Sequence, residues 1–231
     1  MTSVKKIFSI FFIFTIACSV IPAQEKKTVN LEETAITVKL PVPETKGVLS
    51  VEEAPANRRS IRQYKNEPLS LKELGQILWA AQGITANWGG RTAPSAGATY
   101  PLKIYVVAGH VKSIEPAIYY YDTFTHSLKK VSSSYDMREK LAFAAFEQQS
   151  IKQAPITVVI AADFSITARR YGDRARQYVF IEVGHVAENI YLQTEALGLG
   201  TVAIGAFNDK MVKEILKIPQ DVLYLMPVGK K

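Results

Sequence analysis

The chain has 231 residues, 48% of them hydrophobic and 21% charged, and a formal net charge of +7. That suffices for one domain with a sizeable core and is short for two, and 10% aromatic content excludes a disordered or low-complexity protein. A single cysteine, Cys18, excludes a disulfide framework, a thiolate zinc site and an iron–sulfur cluster, and His110, His126 and His185 lack the spacings of metal-binding helices.

Lys5 and Lys6 precede an apolar run, Ile7 to Ala17, followed by Cys18 and Pro22-Ala23-Gln24. A basic start, a run of 11 residues and small residues after it read as a secretory signal over residues 1–23, well short of the ~20 residues of a membrane span. Two processing sites compete. One is cleavage after Ala23; the other treats Thr15-Ile16-Ala17-Cys18 as a loose lipobox, leaving Cys18 lipidated and the protein anchored to a membrane. The expected location is outside the cytoplasm, periplasmic or on the envelope. Losing the two lysines brings the net charge to +5, which fits an anionic ligand or membrane surface. No zinc-finger spacing or basic–aromatic run points to nucleic acid.

Residues 24–57, with Pro41, Pro43 and Pro55, read as an extended lead-in, and residues 58–231 as one compact unit. Ser70-Leu71-Lys72-Glu73 is a capping-box pattern that predicts a helix through Ala81. Gly83 to Tyr100 reads as a long loop. Short apolar runs predict strands at Ile104–Ala108, Ala117–Tyr121, Leu128–Val131 and Ile156–Ala162, with a helix at Met137–Phe146. Arg174 to Leu197 reads as a long helix, apolar nearly all round, with Gly198 as its stop. A helix this long and apolar in so short a chain suggests a homodimer seam, with Val186 and Ile190 as positions to disrupt it. Strand Thr201–Ile204, helix Asp209–Leu216 and strand Val222–Val228 complete an α+β class.

Three stretches carry chemistry. Arg58-Arg59-Ser60-Ile61-Arg62 puts three guanidiniums and a hydroxyl within five residues, the donor set of a phosphate clamp, although alone it also reads as a solvated basic surface. Pro94-Ser95-Ala96-Gly97, within a loop bounded by Pro94 and Pro101, exposes backbone to a flat ligand or forms an ordinary rigid turn. Gly198 to Phe207 superficially has the glycines of a dinucleotide fingerprint. It runs from helix into strand, the wrong order for a Rossmann phosphate turn.

In this order, together with Leu78-Trp79-Ala80-Ala81-Gln82-Gly83, Ile118-Tyr119-Tyr120-Tyr121-Asp122, Tyr171-Gly172-Asp173-Arg174, Glu182-Val183-Gly184-His185 and Pro227-Val228-Gly229-Lys230, these stretches resemble the FMN-dependent nitroreductase superfamily. The resemblance is strongest to its SagB-type, thiazoline/oxazoline dehydrogenase-like branch, and it covers about residues 40–231. It implies a nitroreductase fold, a mixed sheet flanked by helices with a long interface helix, in a homodimer with FMN between subunits. It further implies that Arg58, Arg59, Ser60 and Arg62 hold the FMN phosphate and ribityl chain, with Lys230 or Lys231 adding to the clamp. Pro94, Ser95, Ala96 and Gly97 would line one ring edge, and Ile204, Gly205 and Ala206 would present backbone donors to the other. His185 and Asn189, one helical turn apart, read as supporting residues.

The function implied is an FMN-dependent oxidoreductase moving two electrons to or from a small molecule or peptide. The alternatives are a flavin-binding envelope protein without catalysis, and an azoline dehydrogenase acting on a modified peptide. Export sits awkwardly with a cytoplasmic NAD(P)H donor. Azoline dehydrogenases of this branch carry a Lys-Tyr pair as catalytic residues; here the positions are Arg170-Tyr171. Arginine stays charged and cannot act as a base, so azoline oxidation is not expected.

Overall fold

The computed structural model describes residues 36–132 and 135–231, so the export segment with Cys18 and Ala23 lies outside the described residues. A sheet of seven strands has the order β1-β4-β3-β2-β5-β7-β6. They are β1 (Thr37–Lys39), β2 (Leu102–Ala108), β3 (Ala117–Asp122), β4 (Ser127–Ser132), β5 (Ile156–Ala162), β6 (Leu199–Thr201) and β7 (Asp221–Lys230). Neighbouring strands pair antiparallel, and parallel bridges Ser60–Thr201 and Leu69–Val111 make the sheet mixed.

The centre of the sheet follows from residue type. All seven residues of β5 are buried, and β-branched residues dominate it. Alternation then sends Ile156, Val158 and Ile160 to one face and Val159 and Ala161 to the other. The first face is covered by α2 (Leu71–Gln82) and α6 (Ala175–Ala196), and the second by α3 (Arg138–Ala144), α4 (Gln149–Gln153) and α7 (Asp209–Leu216). Two helices outside these layers, α1 (Glu53–Asn57) and α5 (Phe164–Tyr171), flank α6.

The capping box forms as expected. Ser70 Oγ accepts from Glu73 N at 3.2 Å, and Glu73 Oε2 accepts from Ser70 N at 2.8 Å. The predicted elements otherwise hold to within a few residues, with four differences. The strand β1 and the helices α1, α4 and α5 lie outside the expected elements; the first three are too short to show a period, and α5 has eight residues. The helix expected at Met137–Phe146 stops at Ala144, because Phe146 and Glu147 take φ of +55° and +62°. The strand expected at Thr201–Ile204 is Leu199–Thr201.

The fourth difference concerns α6. Val186 and Ile190 are fully buried inside the chain, against the sheet, and are not seam positions. The apolar residues that α6 leaves outward are Phe180 and Ile181, 45% and 48% exposed, alongside exposed Gly184. One half of the helix therefore fills the core of this chain, and the other half presents a smaller apolar stripe.

Candidate flavin site

The basic segment after α1 is held in place by the sheet edge. Ile61 N donates to Thr201 O and Lys65 N to Lys230 O, both at 2.9 Å. The Tyr64 hydroxyl lies 2.7 Å from Ile61 O and 3.0 Å from Pro227 O. Ile61 sits directly on Gly200, where an added Cβ would come within 2.7 Å of it. Backbone this close to a side chain excludes anything larger than glycine.

One side chain organises the segment from the other side. The Tyr191 hydroxyl, on α6, lies 3.0 Å from Ser60 Oγ and accepts from Ala203 N at 2.8 Å, and the Arg58 guanidinium rests over its ring at 5.0 Å. Ala203 leads into Ile204, which bridges to Leu225, and then to exposed Gly205 and Ala206. Among the described residues, Gly205 and Ala206 donate no backbone hydrogen bond. The clamp residues Arg58 and Ser60 and the Ile204–Ala206 backbone are thus brought to one place. Arg62 is exposed beside them, and neither Arg58 nor Arg62 has a carboxylate partner among the described residues. Arg59 instead donates to Ala56 O and Arg58 O at 3.0 and 2.8 Å, so it braces its own segment. Lys230 is paired with Glu73. Burial raises the Glu73 carboxyl, but Lys230 and two hydrogen bonds from Ser70 outweigh it and hold the group below the usual carboxylate range.

The second cluster surrounds the Pro94–Gly97 loop. Arg170 Nη1, in the last turn of α5, donates to Gly97 O at 3.1 Å, and His185 Nδ1 lies 3.3 Å from Pro94 O. Gly97 has φ +57°, and a Cβ there would meet the Tyr171 hydroxyl at 2.5 Å. Tyr171 packs edge-on against Tyr178, 5.0 Å between ring centroids, with Arg170 over its ring. Asn189 donates to Ala80 O at 3.0 Å and Thr92 O at 3.3 Å, tying α6 to α2 and the start of the loop, whereas His185 is exposed.

Among the described residues no hydrogen bond or ring contact joins Arg58, Ser60 or Tyr191 to Arg170, Tyr171 or the Pro94–Gly97 loop. Along α6 the loop end at His185 stands six residues from Tyr191, and the Tyr171–Tyr178 pair thirteen, roughly 9 and 20 Å at 1.5 Å per residue.

Residues 56–230 match the model of the Nitroreductase family. The chain belongs to that family. It is 46% identical over 195 residues to MJ1384 of Methanocaldococcus jannaschii, a protein described as a nitroreductase, covering 84% of this chain and 98% of the relative. It is 28% identical over 200 residues to an NADH dehydrogenase of Thermus thermophilus, covering 74% and 81%. Among solved structures, the fold matches the E. coli microcin synthetase McbBCD complex with TM-score 0.65 at 18% identity, covering 94% of this chain and 84% of that one. It also matches NADPH:FMN oxidoreductase of Vibrio harveyi, complexed with NAD+, with TM-score 0.56 at 22% identity, covering 78% and 67%.

Nitroreductase-family members are flavin-dependent oxidoreductases, which makes this chain an enzyme and removes the non-catalytic alternative. The residues present fit such a cofactor: among the described residues, guanidiniums without acidic partners, an adjacent hydroxyl, backbone N–H groups that donate to no other group, and a glycine at positive φ in the Pro94–Gly97 loop. Tyr191 and the polar residues beneath the loop were not singled out from sequence. In sequence Glu182 and Tyr191 stand among other polar residues of α6, Gln177, His185, Glu188 and Asn189 with them, so no local signal marks them.

Proposed function

We propose that this nitroreductase-family enzyme is an exported homodimer that binds FMN in two clefts, each built from the clamp of one chain and the Pro94–Gly97 loop of the other. The observation that carries the reading is that clamp and loop rest at separate stations along α6, Tyr191 and His185 to Tyr178, with no recorded contact between them. A second copy docked on the Phe180–Ile181 stripe would bring a loop to each clamp, and the outward apolar half of α6 supports such a seam.

FMN, when bound, supplies two-electron chemistry. Arg58, Arg62 and Ser60 bind the phosphate end. The free N–H groups of Gly205 and Ala206 would donate to the ring. Arg170, bonded to Gly97 O, would attract an anionic substrate, and the Tyr171 hydroxyl beside Gly97 would hold or pass a proton. The likeness to a microcin synthetase complex supports placing the chain near the SagB-type branch. Arg170 in place of lysine argues against azoline oxidation itself.

The N-terminal segment supports export, and general secretion would require FMN to be acquired after translocation. The test is the absorbance spectrum of the domain from Gln24, followed by anaerobic reduction with NADH, NADPH and dithionite. An FMN spectrum bleached by dithionite supports the reading; a colourless dimer that takes up no added FMN contradicts it.

A further inference from the structure

The corner between α5 and α6 carries a row of charged and aromatic side chains that the phosphate clamp leaves unused. The Arg170 guanidinium lies over the Tyr171 ring at 5.5 Å, Tyr171 packs edge-on against Tyr178 at 5.0 Å, and the Arg174 guanidinium lies over the Tyr178 ring at 5.9 Å. Both arginines are exposed and both tyrosines half-buried. One end of the row is fixed to the loop. Arg170 Nη1 donates to Gly97 O at 3.1 Å, and the Tyr171 hydroxyl stands where a Gly97 side chain would be. Arg174, Tyr178 and His185 follow one another at spacings of four and seven, which share one face of a helix, and His185 Nδ1 lies 3.3 Å from Pro94 O. The row therefore borders the Pro94–Gly97 loop at both of its ends.

Charge is unbalanced at this corner. Arg169, Arg170, Arg174 and Arg176 fall within eight residues, with Asp173 the one acid among them. None of the four has a carboxylate partner among the described residues, whereas elsewhere Arg138 pairs with Asp136 and Lys129 with Asp122. A guanidinium laid over a ring is held by the π-face and keeps its edge N–H groups for an acceptor in its own plane. That edge matches a carboxylate. The half-buried tyrosine pair beside it offers an aromatic surface on which a flat apolar body rests.

We propose that this row is the substrate-recognition surface of the flavin site and that it selects flat conjugated carboxylic acids. The ring of such a substrate lies against Tyr171 and Tyr178, and its carboxylate is held by Arg174. The proposal rests on the reading that the Pro94–Gly97 loop faces FMN, and it extends the contact with Arg170 to a defined class of compound. Arg174 and Tyr178 thereby become specificity-determining residues. An uncharged analogue gives Arg174 no acceptor of matching charge, and an anion without a ring leaves the tyrosine surface uncovered, so each is bound less well than the flat acid. Arg170 is occupied at one nitrogen by Gly97 O, which leaves Arg174 the freer of the two guanidiniums.

The experiment is calorimetric titration of the FMN-saturated protein from Gln24 with naphthalene-2-carboxylate and with its uncharged counterpart naphthalene-2-carboxamide. Neither probe is a redox partner, so binding is read without turnover. Wild type should bind the carboxylate about tenfold more tightly than the amide, as charge-assisted hydrogen bonds exceed neutral ones. Arg174→Gln should remove about tenfold from the carboxylate and leave the amide unchanged. Tyr178→Leu should weaken both probes. Lys140→Gln, on exposed α3, makes the same change in net charge and should alter neither. Equal affinity of wild type for the two probes, or an Arg174→Gln variant that binds the carboxylate as wild type does, would overturn the proposal while FMN saturation leaves the flavin reading standing. A protein that takes up no FMN would overturn both, since the row would then border no flavin.

Discussion

Tyr191→Phe isolates the contact that joins the two halves of the clamp. The ring stays, and with it the packing of Arg58 at 5.0 Å; only the hydroxyl is removed. That hydroxyl accepts from Ala203 N at 2.8 Å and is hydrogen-bonded to Ser60 Oγ at 3.0 Å. Each bond is worth about 1 kcal/mol net, and Ser60 can turn to water, so the loss should be ~1–2 kcal/mol. At ~2–4 °C per kcal/mol for a chain of this size, melting should fall by about 2–8 °C. The same change frees Ser60 and the Ala203–Ala206 backbone from a common support, so FMN affinity should fall about tenfold, or ~1.4 kcal/mol. Calorimetry of the apo-protein and FMN titration measure the two effects separately. Unchanged melting and unchanged affinity together would refute the assignment of Tyr191 as the support of the clamp.

Arg58→Ala with Arg62→Ala should weaken FMN by ~3–6 kcal/mol, since charge-assisted bonds to phosphate at ~1.5–3 kcal/mol each are lost, with riboflavin affinity little changed; equal losses for both flavins would contradict a phosphate clamp. Phe180→Asp should yield a folded monomer without FMN on sizing chromatography, whereas Val186→Asp should unfold the chain because Val186 is wholly buried. Gly97→Ala should displace Arg170 and Tyr171 and lower turnover more than tenfold, because its Cβ would stand 2.8 Å from Arg170 Nη1 at a positive φ; wild-type turnover in steady-state assays would show the pair to be remote from the chemistry. Tyr171→Phe should slow turnover without releasing FMN, and equal turnover would return Tyr171 to a packing role.

The sheet was legible because its strands carry their own signal. Ile156–Ala162 is a continuous apolar run with β-branched residues, and it is the fully buried centre of the sheet. The capping box at Ser70 and Glu73 was equally local. What could not be read was the direction in which α6 faces. Apolar residues surround it, and only packing decides that Val186 turns inward while Phe180 turns out. The motif residues Arg58, Ser60 and Gly97 were visible as residue types near one another in sequence. Their supports were not, because Tyr191 lies 131 positions from Ser60 and Gln82 lies 100 from Glu182. Long-range polar contacts leave no periodic trace.

The central claim, that each flavin cleft is shared between two chains, is tested most directly by complementation. One chain carries Arg58→Ala and Arg62→Ala, and the other carries Gly97→Ala; they are co-expressed with different tags, and the mixed dimer is purified through both. A shared cleft pairs the intact clamp of the second chain with the intact loop of the first. The mixed dimer should then bind FMN at one of its two sites with wild-type affinity and turn over at that site at the wild-type rate. A mixed dimer whose tight site turns over only as slowly as Gly97→Ala would place clamp and loop in the same chain and contradict the account.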